Sequence, residues 1–248
     1  MGRQTSGAVL ENVLIIGSGP AALRARSWDK SHFDHIVVIN NAWQIRSDWD
    51  SLIFPDDFPV DKQPTSIGVK QQVIRSSDYV PVQNTCGGFV YAGGTMAFTA
   101  AYWALGALRP KVIAMVGCDM VYPATGPTHF YGTGQADPLR RDISLRSLPA
   151  KSARLMALAA GYGCAMVNLS TDPSQLTFPR ATPSTTAAQK PLQHEASAVA
   201  AALQAEDDLG YYVASGKYWK DEDRFDPTEI DKMDAMWLAL APPVQSIP

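Results

Sequence analysis

Residues 91–134 read YAGGTMAFTAAYWALGALRPKVIAMVGCDMVYPATGPTHFYGTG, and the order of their parts decides the fold. A glycine pair opens an apolar helix, Arg109 and Pro110 close it, and KVIAMVGCDM follows as a strand. An unbroken apolar strand of this kind belongs at the centre of a parallel sheet covered on both faces. Gly93, Gly94 and Thr95 stand where the helix N-terminus belongs. Backbone N–H groups and the positive end of the helix dipole point outward there and suit an anion. The strand ends in Gly117, Cys118 and Asp119, and ligands of open parallel sheets sit beyond the carboxyl ends of the strands. Thr128, His129 and Tyr131 come soon after and can fold back over that edge. An anion cradle, a carboxylate and an imidazole are therefore expected on one rim.

A second glycine turn precedes it. In NVLIIGSGPAALRAR an apolar strand runs into Gly17, Ser18, Gly19 and Pro20, where the glycines permit a tight turn and the proline suits the first turn of a helix. This is a candidate phosphate loop. The string GSGPAAL also fits the fingerprint of flavin-dependent oxidoreductases, which requires an acidic residue at the end of the second strand to hold the ribose. Here that strand, HIVVINNAW, ends in Asn40 and Asn41, and the chain is small for a two-domain flavoenzyme. FAD is set aside. The two asparagines remain as neutral amides able to contact a phosphate or a base edge, or to cap a turn.

Elsewhere, AWQIRSDWD has the pattern of a short amphipathic helix, and SLIF that of a short strand. Asp56 and Asp57 fall at a loop tip. DYVPVQ is expected as an edge strand, because Pro81 argues against a central one, and NTCGGFVYAGGT as a mobile approach to the main helix. AKSARLMALAAGYG is a helix with a glycine stop and CAMVNLS the strand after it. The segment STDPSQLTFPRATPSTTAAQKP is linker-like, and from His194 the chain is helical. The expected organisation is a leader over 1–11, a nucleotide-binding α/β domain over 12–180, and a linker with C-terminal helices over 181–248. Those helices suit a lid or an oligomer contact.

Composition narrows the class. The 248 residues are 46% hydrophobic and 18% charged, as in ordinary soluble domains, and the net charge of −3 argues against general nucleic-acid binding. No apolar run is long enough for a membrane span, and the N-terminus lacks the apolar core of a signal peptide. Cys86, Cys118 and Cys164 are too scattered for a disulfide framework or a zinc site, so a cytoplasmic protein is expected.

With these segments together, the chain resembles the sialyltransferase-like and MptE-like nucleotide-binding families. GSGP after a strand is similar to their glycine loop, VINNA to the strand-end asparagine segment, and GGTMAFTAAYWALGALRPKVIAMVGCDMVY with THFYG to their helix and Gly-x-Asp strand. The resemblance implies a Rossmann-like fold: a mostly parallel sheet flanked by helices, here with a helical C-terminal extension. It implies a transferase in which a nucleotide-sugar of the CMP-sialic-acid type lies near Gly17, Ser18, Gly19, Asn40, Gly94 and Thr95. His129 would be the general base, with Tyr122 and Tyr131 stabilising the departing phosphate and no cofactor needed. Ser18 and Ala21 depart from the family loop, and the Asp119 to His129 spacing is closer to the MptE-like proteins. That branch implies transfer of pyrophosphate from ATP to a pterin-like acceptor, with Asp119 and Asp57 holding Mg²⁺. A nucleotide- or sugar-binding protein without turnover is the third reading.

Overall fold

The computed structural model describes residues 10–123, 125–133 and 140–242, so most of the expected leader and the chain end from 243 lie outside the described residues. Six strands, β1 (Asn12–Ile16), β2 (His35–Ile39), β3 (Ser51–Ile53), β4 (Gln72–Ile74), β5 (Val112–Val116) and β6 (Ala165–Asn168), form one sheet. The order is β4-β3-β2-β1-β5-β6, and every pairing is parallel. The chain therefore steps outward from β1 to β4, crosses back to the other side of β1, and steps outward again to β6. The reversal falls between β1 and β5, whose five residues pair in register from Asn12–Val112 to Ile16–Val116. This is the Rossmann-like α/β architecture, and a crevice opens where the direction reverses.

Alternate strand residues point to opposite faces, and both faces are buried. Val13, Ile15, Val37, Ile113 and Met115 pack beneath α1 (Ser76–Asn84), α3 (Met96–Trp103) and α4 (Leu148–Gly161). Leu14, Ile16, Val38, Val112 and Val116 pack instead against the 3-10 helix Pro20–Ser27 and the rings of Phe33, Trp49, Phe54 and Phe58. Ala21, Ala22 and Ala25 of that 3-10 helix are buried, and their small side chains let it lie close to the sheet.

Three local expectations change. DYVPVQ is helical: it lies within α1, and the edge strand is the short segment β4 before it. Asp78 starts this helix by accepting the Arg75 N–H at 2.8 Å, and Pro81 sits on its exposed side, where water can serve the carbonyl that loses its partner. The amphipathic pattern at AWQIRSDWD is realised as a 3-10 turn, Asn40–Gln44, with Ala42, Ile45 and Trp49 buried. The glycine-rich approach holds a short helix, α2 (Phe89–Ala92), with Val90, Tyr91 and Ala92 buried.

The C-terminal helices α5 (Ala196–Leu209) and α6 (Pro227–Leu238) are fastened to α4 by charge as well as packing. Arg154 is fully buried and forks onto both carboxylate oxygens of Glu206 at 2.7 Å, while also donating to Tyr102 Oη and the Cys86 carbonyl. Trp237 Nε1 donates to the same carboxylate at 2.7 Å, and Lys151 pairs with the buried Asp234 at 2.7 Å. Removing one partner of a buried pair strands the other. Arg154→Ala is therefore expected to lower unfolding free energy by about 3–5 kcal/mol in urea denaturation; a loss below about 1 kcal/mol would show that this clamp is not what holds α5 to α4.

Candidate functional site

The crevice between β1 and β5 opens into a cavity of about 330 Å³. Its lining gathers Gly17, Ser18, Gly19 and Pro20 after β1, Asn40 after β2, Thr95 before α3, and Asp119, Tyr122, His129 and Tyr131 after β5. Met96, Ala97, Met120, Thr128 and Asp172 join them. Three sequence-expected residues do not line it: Asn41, which is buried, and Gly93 and Gly94.

Gly94 departs from expectation for a visible reason. Its N–H donates to Ser144 Oγ at 2.9 Å, and its carbonyl accepts Arg140 Nη2 at 3.0 Å. A Cβ at this position would lie 2.1 Å from Tyr218 Oη, so the glycine admits a tyrosine from the C-terminal segment. That hydroxyl donates to Asp142 Oδ2 at 2.7 Å, and burial beside the Asp142 charge pushes it up to about 12. Burial works to raise Asp142, but hydrogen bonds from Ser144 and Tyr218 and the Arg140 charge hold it below the ordinary carboxylate value. The Gly93 N–H is taken by the Phe89 carbonyl at 3.0 Å. The α3 residues that line the cavity are its first two, Met96 and Ala97, whose N–H groups make no hydrogen bond among the described residues. Thr95 caps the helix by accepting the Phe98 N–H at 3.3 Å.

The first glycine turn is also corrected in detail. Gly17 N–H donates to the Val116 carbonyl and Gly19 N–H to the Gly117 carbonyl, each at 2.8 Å. A Cβ on Gly17 would lie 2.4 Å from the Gly117 carbonyl oxygen and 2.6 Å from Cys118 Sγ. These glycines are required because two backbones cross, and their amides are not bare. Ser18 and Ala21 carry the amides of this turn that make no hydrogen bond among the described residues. Two helix starts, one 3-10 and one α, thus offer N–H groups to one cavity, and this is a suitable setting for an anion.

The Ser18 carbonyl accepts the Phe130 N–H at 2.9 Å, which ties the histidine loop to the glycine loop. His129 and Gly132 exchange backbone hydrogen bonds of 3.0 and 3.1 Å, closing a tight turn. The half-buried imidazole stacks on Tyr131 at 4.9 Å between centroids, with Tyr122 at 6.1 Å and the Thr128 hydroxyl 2.9 Å from Nδ1. The ring is thereby oriented at the cavity wall. Asp119 is held more tightly: its Oδ1 accepts Asn168 Nδ2 at 3.1 Å, and Arg180 Nη1 lies 4.0 Å away. Beside it, burial and the Asp119 charge push the Cys118 thiol well above its ordinary range, which disfavours the nucleophilic thiolate.

Two lining residues carry backbone strain. Asn40 has φ 51° and Met120 φ 53°, in the left-handed region that L-residues rarely occupy. Asparagine tolerates this conformation, whereas for methionine it costs of order 1–3 kcal/mol, as at many functional sites. Met120, Asp172 and the Asn168 brace were not legible as site residues. The clue was the turn SerThrAspPro after the last strand, which reads equally well as linker. Asp57 stands on an exposed turn and does not line the cavity, and no group of three or more metal-ligating side chains occurs among the described residues. Arg140 and Arg146 pair with Asp142 and Asp231, and among the described residues the lining holds no lysine or arginine. No described helix is long and apolar enough to cross a membrane.

Comparison with protein-family models, with curated proteins and with solved structures finds no match for this chain. Gly17→Ala drives a methyl into the backbone of the neighbouring strand end, an overpacking that costs about 1–3 kcal/mol or more. It is expected to lower the thermal midpoint measurably, and an unchanged midpoint would mean the two loops do not cross as described.

Proposed function

We propose that the protein is a transferase that binds a nucleotide-sugar of the CMP-sialic-acid type and passes the sugar to an acceptor hydroxyl. The observation that carries this reading is the single cavity at the sheet reversal, which brings an oriented histidine and two tyrosines together with the amides of two helix starts. In the reaction, His129 takes the proton of the acceptor hydroxyl as that oxygen bonds to the anomeric carbon. The bond from this carbon to the phosphate oxygen breaks, and the nucleoside monophosphate leaves. The amides of Ser18, Ala21, Met96 and Ala97 bind the charge that develops on the departing phosphate, with help from the Tyr122 and Tyr131 hydroxyls.

The charge of the cavity favours this donor class. With Asp119 and Asp172 in the lining and no described lysine or arginine there, a single phosphate held by amides suits the site better than a polyphosphate. The alternative, Mg²⁺-dependent transfer of pyrophosphate from ATP, needs a metal-holding pair that Asp57 does not supply, and Asp119 is engaged by Asn168. A binding protein without turnover would use the same cavity with His129 idle.

A thermal-shift panel of CMP, UDP, GDP, ATP and FAD separates the donors, since a ligand at 100 times its Kd stabilises by about 2.7 kcal/mol. CMP is expected to give the largest shift. His129→Ala is expected to lower CMP-sugar transfer or hydrolysis by about 10²–10⁴-fold while CMP still binds, and wild-type turnover is expected to survive EDTA. Turnover undiminished in His129→Ala contradicts the assigned base, and a response to ATP alone contradicts the donor class.

A further inference from the structure

The geometry points to Arg24 as the residue that reads the donor's charge: Asp172 holds its guanidinium at the cavity mouth, and an anionic ligand draws it inward. This inference rests on the proposed nucleotide-sugar site and names a cation for it, where the described lining holds no lysine or arginine. Arg24 belongs to the 3-10 helix Pro20–Ser27, whose first two residues line the cavity. Arg24 lies one turn beyond Ala21, and where Ala21 is buried against the sheet the Arg24 side chain is exposed and meets the loop after β6.

One of its present partners lines the cavity. Nη2 of Arg24 meets Asp172 Oδ1 at 3.0 Å, Nη1 donates to the Thr171 hydroxyl, and Asp172 is itself a lining residue. The aspartate is fixed from behind. Arg180 Nη2 holds the Asp172 carbonyl at 2.8 Å, and the Asp172 N–H donates to Ser170 Oγ at 3.1 Å. The pair itself is open to solvent: the side chains of Arg24 and Asp172 are 42% and 45% exposed. A solvent-exposed ion pair of this kind adds little, whereas a bidentate contact from arginine to phosphate is among the stronger polar interactions. The exchange thus favours the ligand.

The test compares CMP with cytidine, which differ by the phosphate, in calorimetric titrations of the full chain. Arg24→Gln is expected to weaken CMP by about 10-fold or more and to leave cytidine unchanged. Asp172→Asn is expected to tighten CMP by about 3-fold, and this gain is expected to vanish in the Arg24→Gln background. CMP affinity unchanged in Arg24→Gln overturns the assignment of Arg24, as does a gain from Asp172→Asn that persists without the arginine. In both outcomes wild-type binding leaves the nucleotide site standing. Failure of wild-type protein to bind CMP at all overturns the nucleotide reading and this inference together.

Discussion

Where β1 and β5 end, two backbones cross at hydrogen-bond distance, and the rest of the site depends on that crossing. Gly17 and Gly19 donate to the carbonyls of Val116 and Gly117, and no side chain larger than hydrogen fits at Gly17. Gly117 in turn meets Ala22 so closely that an added Cβ would lie 2.5 Å from its methyl. The small residues GSGPAA therefore answer first to the sheet. Their consequence is functional, because the close approach draws the start of the 3-10 helix beside the Gly-x-Asp turn. The Phe130 N–H then pins the histidine loop to Ser18. Remove the crossing, and helix start, carboxylate and imidazole have no common reference.

The C-terminal helices are part of the same construction. Through Arg154, Glu206, Lys151 and Asp234 they brace α4, and through Tyr218 they reach the turn before α3. Gly94 is the meeting point: Ser144 takes its N–H, Arg140 its carbonyl, and Tyr218 the space where a side chain would be. The start of α3, where Met96 and Ala97 line the cavity, is positioned by groups that lie more than forty residues away in sequence. Buried charge pairs of this kind fix geometry more than they add stability.

The parts of this arrangement carried by hydrophobic period were legible in the sequence. The runs VLII, HIVVI and VIAMV read as buried strands, and the glycine endings of the first and third pointed to the sheet edge where the cavity lies. The asparagine at the end of β2 and the histidine after β5, singled out because strand ends and polar loops face ligands, both line that cavity. What the sequence hid was competition for hydrogen bonds. A glycine that frees an amide for phosphate and a glycine that lets two backbones cross look the same in one dimension, and Gly17, Gly19 and Gly94 all prove to be occupied. Pro81 misled for a similar reason: proline is tolerated on an edge strand, but it also fits the open side of a helix, where water can serve the freed carbonyl. Asp172 sat unnoticed in a linker-like stretch until the fold brought it across from Arg24.

In the proposed reading, one anion is held where two helix starts meet at the reversal of the sheet. Amide-resolved NMR titration with CMP tests it most directly. The largest shifts are expected at Ser18, Ala21, Met96 and Ala97, with Gly94 and the residues around Arg154 and Tyr212 unmoved. Shifts centred on the second cavity, which Arg154, Tyr162 and Tyr212 line, or shifts at Gly94 without Ala21, would contradict it.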